Sequence, residues 1–202
     1  MPAQEIRVFL STWLRSPRKV GAIWPSGPTL ARAMAAQVEP GRPGMVIELG
    51  AGTGVVTRAL LARGLPPSRL IVVERDPDFC RLLRAHFPGV VVVHEDARRL
   101  RHAITERGIG PVSAVVASLP LLSLPFASQR EIRRATAEVL EPGRPLVQFT
   151  YGPGSPVHPT LMRRLGLNGH SVVRVWRNLP PAVVWRYTPR RASRPVVSRL
   201  AA

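Results

Sequence analysis

Beyond residue 44 the apolar positions of the chain come in short unbroken runs, and the stretches between them repeat an apolar residue every three or four positions. The runs predict strands over 45–49, 70–74, 90–94, 112–117 and 146–150. The spaced stretches predict helices over 54–63, 77–87, 97–107 and 128–140. Short, near-continuous apolar strands alternating with helices imply a parallel sheet covered on both faces. Two further strand-like runs, 172–176 and 182–187, have only "RNLPP" between them, which suits an antiparallel pair at one sheet edge. Near the start, Ile6, Phe9, Leu10, Trp13 and Leu14 form one apolar stripe at helical spacing, predicting an amphipathic helix over 4–15 that Pro17 ends. A second helix is expected over 29–38, entered through "WPSGP", before "PGRPG" breaks the chain at 40–44. The expected organisation is therefore N-terminal helices over 1–39, an α/β core over 40–188, and a flexible basic tail over 189–202 with no periodic pattern.

The turn from the first strand into its helix reads "ELGAGTGVV", with glycines at 50, 52 and 54. A glycine-rich strand-to-helix turn is a site of nucleotide type. The Walker pattern is missing. The dinucleotide fingerprint needs a small residue at position 55, where this chain has valine. The alternation Glu48-x-Gly50-x-Gly52-x-Gly54 is instead one residue tighter than that fingerprint. Glu74 ends the second strand, where a carboxylate accepts ribose hydroxyls. Asp96, followed by Ala97, ends the third strand, where an Asp is also a common helix cap. This constellation resembles the first motifs of class I S-adenosylmethionine-dependent methyltransferases. The resemblance implies a Rossmann-like fold with a mostly parallel seven-stranded sheet, an antiparallel C-terminal strand pair and N-terminal helices. It also implies S-adenosylmethionine as methyl donor, its amino-acid end against the glycine backbone, its ammonium met by Glu48 directly or through water and its adenine near Asp96, with S-adenosylhomocysteine as product and no metal.

Charge changes the picture of the acceptor. Twenty-nine basic residues face twelve acidic ones, a net +17, and all the basic residues except Lys19 are arginine. A GC-rich genome explains arginine over lysine but not the scarcity of acids, none of which follows Glu141. Such a field attracts polyanions, either nucleic acid or an anionic bilayer. The lone cysteine, Cys80, rules out a disulfide framework. No stretch reaches the roughly 18 apolar residues of a membrane span, and Arg7 and Arg15 bracket the N-terminal apolar patch too tightly for a signal peptide.

The fourth strand leads into "SLPLLSLP". In rRNA adenine dimethyltransferases the corresponding segment carries an amide before the Pro and an aromatic ring after it. Here Ser118 and Leu121 replace them, which weakens a nucleobase acceptor. Together with "FLSTWLRSPRKVGAIWPSGPTLARAM", "VVERDPDF", "VQFTYGP" and "WRNLPPAVVW", the segment resembles soluble bacterial phospholipid N-methyltransferases, relatives of those rRNA enzymes. That resemblance implies stepwise methylation of phosphatidylethanolamine, through mono- and dimethyl intermediates, to phosphatidylcholine. RNA adenine N6-methylation is the second reading, and a binder that kept the cofactor site without catalysis is the third.

Methyl transfer to nitrogen needs a free lone pair, so an ammonium of ordinary pKa about 10.4 must first lose a proton. Tyr151 in "FTYGP" is the first candidate to sit beside the amine, though a Tyr at a strand end also caps a core. Ser118 and the Leu119 carbonyl are candidates to orient the amine. Lys19, Arg177 and Asn178 are candidates for the lipid phosphate, Ser26, within a segment 20–38 expected to cover the cofactor, for the cofactor carboxylate, and His94 for a proton acceptor or a purely structural histidine. Phe9, Trp13, Arg15 and Arg18 would meet an anionic bilayer if the N-terminal stripe does not simply pack on the core. The expected partners are that bilayer and its aminolipid rather than nucleic acid or an obligate protein partner. The expected location is the cytoplasm, peripheral on the inner face of the cytoplasmic membrane.

Overall fold

A computed structural model describes residues 27–151, 154–178 and 180–189. Successive side chains of a strand point to opposite faces, and in the central strands of this sheet both faces are buried. Strands β1 (Met45–Leu49), β2 (Leu70–Glu74), β3 (Val91–His94), β4 (Val112–Ala117) and β5 (Leu146–Thr150) run parallel to their neighbours. Strand β7 (Ala182–Pro189) enters antiparallel between β5 and β6 (Leu167–Val175), giving the order β3-β2-β1-β4-β5-β7-β6 in one seven-stranded sheet. Because β7 is antiparallel to both neighbours, β6 again points with β1–β5.

Val46, Leu70, Val72, Val116, Phe149 and Val184 face one core with helices α1 (Pro28–Ala35), α2 (Val55–Ala62) and α3 (Pro77–His86). Ile47, Leu49, Ile71, Val73, Val115 and Tyr187 face the other, covered by α4 (Leu100–Glu106), α5 (Phe126–Val139) and α6 (Pro159–Arg164). Among the described residues no helix is long and apolar enough to cross a membrane.

The class I methyltransferase architecture and its antiparallel C-terminal pair are present as expected. Strand β6 is longer than the expected run at 172–176, because pairing with β7 recruits Asn168–Ser171, which no hydrophobic pattern marks. Its register shifts between Ser171 and Val173, a bulge on the sheet's edge strand. Helix α6 had no counterpart in the pattern; it is one short stretch capped by His158 Nδ1, which accepts from the Thr160 N–H at 3.3 Å. The segment 20–38 was expected to cover the cofactor. Its described part is α1, with Leu30, Ala31, Met34 and Ala35 buried in the first core. Gly27, at the start of that helix, donates its N–H to Asn178 Oδ1 at 2.9 Å. The helix expected over 4–15 and the tail beyond 189 lie outside the described residues, as do Phe9, Trp13, Arg15, Arg18, Lys19 and Ser26.

The strand-to-helix turn after β1 is the tightest piece of backbone near the site. Gly54 is the N-cap of α2 at φ 83°, and a Cβ there would come within 2.3 Å of the buried Phe87 ring. A left-handed L-residue and the ring displacement both oppose substitution. Gly54→Ala is expected to destabilise the protein by about 2 kcal/mol or more, measured as a lower urea midpoint at unchanged slope.

Candidate active site

The carboxyl ends of β1–β4 are brought level by backbone bonds that prolong the ladders. Gly50 N–H donates to the Val73 carbonyl at 2.8 Å, Ser118 N–H to Leu49 at 2.9 Å, and Glu95 N–H to Glu74 at 3.1 Å. Above these ends lies a cavity of about 340 Å³, walled by Gly50, Gly52, Glu74, Asp76, Phe79, Glu95, Asp96, Ala97, Ser118, Leu119, Pro120 and Leu124, among others. Ligands of open α/β sheets bind in this crevice. Gly50, Gly52 and Gly54 all have positive φ, which only glycine adopts without strain. At Gly50 a side chain is doubly excluded, since a Cβ would sit 2.0 Å from Leu119 Cδ2.

Glu48 does not line the cavity; it lies fully buried behind the glycine turn. Its two oxygens accept from the Thr57 hydroxyl at 2.6 Å and the Ser118 hydroxyl at 2.9 Å. Burial disfavours the carboxylate and pushes Glu48 up to about 7, against the opposing pull of the two hydroxyls. Ser118, read as an amine-orienting hydroxyl, thus spends its proton on Glu48 while its lone pairs remain on the cavity side.

Glu74 ends β2 and is built into the backbone. Its Oε2 accepts from the Gly52 N–H at 3.0 Å, and its Oε1 accepts from Arg75 and Asp76 at 2.8 and 2.9 Å. A carboxylate offers about four acceptor positions, so Oε2 keeps one for a ligand hydroxyl. Asp96 lies two residues past β3 and does both things weighed for it: it lines the cavity and caps the 3-10 turn Ala97–Arg99. Burial alone would raise its carboxyl. The Arg98 hydrogen bonds outweigh burial and hold it below the ordinary range. Ala97 lines the cavity beside it.

Other expected residues sit elsewhere. Tyr151 is half-buried at the end of β5, edge-on to Phe149 at 5.3 Å between centroids, and does not line the cavity. His94 is bonded through Nε2 to the Arg75 carbonyl at 3.0 Å, outside the cavity wall. Arg177 is exposed in the β6–β7 turn. Asn178, read as a phosphate ligand, is buried, holding Gly27 with its carbonyl and the Pro180 carbonyl with its amide. Both ends of that side chain are occupied within the fold.

Several residues of the site escaped the sequence reading. Asp76, Phe79 and Glu95 complete the cavity wall; the "ERDPDF" segment carried the signal for the first two, as the residues immediately past a strand end. Arg133 carried none, because it lies in a charge-rich helical stretch that reads as solvated. It is 1% exposed, and burial pushes it down to about 10. Its Nη1 donates to Gln129 Oε1 at 3.0 Å and its Nη2 to the Pro156 carbonyl at 2.7 Å, while Gln129 donates to the Leu124 carbonyl at 2.9 Å. These bonds couple the loop after β4 to the loop after β5.

The raised Glu48 has a definite consequence for stability. Because its folded pKa of about 7 exceeds its ordinary 4.5, the folded state binds the proton more tightly. The associated stability is fully present below pH 4.5 and lost as pH rises through 7. Between those limits, and without cofactor, the loss is about 3 kcal/mol for the parent chain. Glu48→Gln is expected to flatten that slope in urea titrations run across the window.

The cavity fits S-adenosylmethionine on its own chemistry. Four carboxylates, Glu74, Asp76, Glu95 and Asp96, line it in a strongly basic chain, which suits a cationic ligand bearing ribose hydroxyls. The positive-φ glycines let that ligand approach the backbone. Among the described residues no cluster of His, Cys, Asp and Glu can hold a metal. No protein-family model matches the chain. The chain is 36% identical to the ornithine lipid N-methyltransferase of Singulisphaera acidiphila over 178 residues, covering 87% of this chain and 91% of that protein. It is 33% identical to ribosomal RNA small subunit methyltransferase A of Anaeromyxobacter dehalogenans over 152 residues, but spans only 52% of it. Among solved structures, the 1,6-didemethyltoxoflavin-N1-methyltransferase of Burkholderia thailandensis superposes with a TM-score of 0.64 at 17% identity, covering 94% of this chain and 91% of that one. The glycopeptide N-methyltransferase MtfA with bound S-adenosylmethionine gives 0.59 at 16% identity, covering 82% and 95%. The chain belongs to the class I S-adenosylmethionine-dependent methyltransferases, in the family that includes the ornithine lipid N-methyltransferase.

Proposed function

We propose that this methyltransferase acts on the amine of a membrane lipid, with phosphatidylethanolamine and its mono- and dimethyl forms as substrates and phosphatidylcholine as end product. The observation that carries the reading is the character of the acceptor wall. Where the cavity leaves the acidic strand ends it continues along Ser118, Leu119, Pro120 and Leu124, a stretch that supplies neither a ring to stack a base nor an amide to pair with one. Similarity to a lipid N-methyltransferase over most of both chains supports it. That same relative favours ornithine lipid as a second candidate, since it too presents an amine. We place the enzyme at the inner face of the cytoplasmic membrane, held by the basic N-terminal stripe.

When bound, the cofactor supplies the methyl group. The chain's part is to hold and orient. Glu74 holds the ribose hydroxyls of the donor, Asp96 lies on its adenine side, and Glu48 faces its charge through the glycine turn. Ser118 Oγ, its proton committed to Glu48, offers a lone pair to an amine N–H. The Leu119 carbonyl, already accepting from Leu121 at 2.8 Å, has a second lone pair for the same purpose. Apolar walls around the amine lower its pKa by disfavouring the cation, which frees the nucleophilic lone pair.

Incubation with labelled S-adenosylmethionine is the direct test, using separate samples of phosphatidylethanolamine, ornithine lipid and 16S rRNA. Label is expected in phosphatidylethanolamine. Label confined to ornithine lipid would move the substrate to the second candidate, and label in RNA alone would end the lipid reading. Glu74→Ala, which removes a charged acceptor from the ligand and from the Gly52 N–H, is expected to weaken S-adenosylhomocysteine binding roughly 10- to 100-fold by calorimetry.

A further inference from the structure

The carboxyl edge of the sheet is divided in two. Over β1–β3 it carries Glu74, Asp76, Glu95 and Asp96. Over β4–β6 the three loops, 118–127, 151–158 and 176–181, contain no acid at all. This second half exposes apolar side chains that a globular surface ordinarily hides. Phe126 is 64% exposed, Trp176 68% and Leu122 37%. Phe126 and Leu122 follow β4; Trp176 follows β6, three strand positions away, about 14 Å across the sheet. Tyr151 ends the strand between them. Arg174 lies over the Trp176 ring at 5.0 Å, and Arg177 is exposed on its other side in sequence.

We infer that this half of the carboxyl edge is a membrane-docking rim, in which Leu122, Phe126 and Trp176 enter the headgroup boundary of an anionic bilayer while Arg174 and Arg177 meet lipid phosphates. The inference rests on the lipid reading and adds to it a surface separate from the N-terminal stripe. Its occupant follows from charge and shape. Exposed aromatic rings flanked by guanidinium groups match an interface that is apolar below and anionic above. Residues 1–26 are a poor alternative occupant, since their Arg7, Arg15, Arg18 and Lys19 outnumber Glu5 and repel the same arginines. A second copy, at +17, meets the same repulsion. The rim lies on the edge that holds the cavity, so docking presents the acceptor wall to the lipid headgroups without any rearrangement of the sheet.

The test uses full-length protein and vesicles of phosphatidylethanolamine and phosphatidylglycerol in a sedimentation assay. The double variant Phe126→Ser, Trp176→Ser is expected to lose at least about tenfold in vesicle partition. Its S-adenosylhomocysteine affinity and its methylation of aminolipid in detergent micelles should stay unchanged, because neither residue lines the cavity. Val91→Ser, at another exposed apolar position (42%) on the opposite, amino edge of the sheet, should partition like the parent. If the double variant sediments with vesicles as the parent does, the rim is wrong whatever the substrate proves to be. If it loses vesicle binding but no aminolipid is labelled in micelles, the rim stands and the substrate reading fails. A parent that self-associates while the variant does not would assign the patch to a second copy. Trp176 shielded from acrylamide in a free chain with its other three tryptophans changed to Phe would assign it to residues 1–26. Either of these outcomes overturns the proposal.

Discussion

A carboxylate with no access to water sits behind the glycine turn, and the chain tolerates it only because two hydroxyls reach it from separate elements. Glu48 lies in β1, Thr57 in α2 and Ser118 at the end of β4. Burying an unpaired charge costs several kcal/mol; here it is met by donors that hold the first strand, the first crossover helix and the acceptor loop in fixed relation. The bond from Ser118 N–H to the Leu49 carbonyl repeats the tie in backbone. Donor loop and acceptor loop are therefore parts of one hydrogen-bonded unit, and the fold cannot move one without disturbing Glu48.

The charges of the molecule are sorted around that unit. Half of the chain's acids fall between residues 48 and 96, and four of them wall the cavity. A basic protein thereby keeps a local negative pocket for a cationic donor. Across the same edge the acceptor wall is apolar, and the buried Arg133 stiffens it from beneath by joining the loops after β4 and β5. Attraction to an anionic surface and retention of a cationic ligand are thus handled by different parts of the carboxyl edge.

Much of this was readable from sequence because it follows from strong signals. Unbroken apolar runs mark strands buried on both faces, and their ends place Glu48, Glu74 and Asp96 on one edge. Gly50, Gly52 and Gly54 declared a backbone that side chains could not follow. The failures have physical reasons as well. Asn168–Ser171 are polar yet join β6, because an edge strand needs a partner and not a hydrophobic face. Arg133 looked like one more solvated arginine, and only packing against Pro156 and Gln129 encloses it. Asn178 matched a ligand motif in a turn, whereas the turn itself and Gly27 use both ends of its amide. Tyr151 follows a strand as a site residue does, and its edge-on packing against Phe149 is a contact that no spacing announces.

The bulge in β6 bears on how the molecule behaves in a crowd of its own kind. An outermost strand offers unpaired N–H and C=O groups to any other extended chain. In β6 the ladder slips between Ser171 and Val173, so the outer rim of the sheet is kinked where its most apolar residues lie. A bulge increases local twist and breaks the regular spacing that an incoming strand must match. Exposed Val172 and Val173 therefore offer a further extended chain a poorer template than a regular edge strand would.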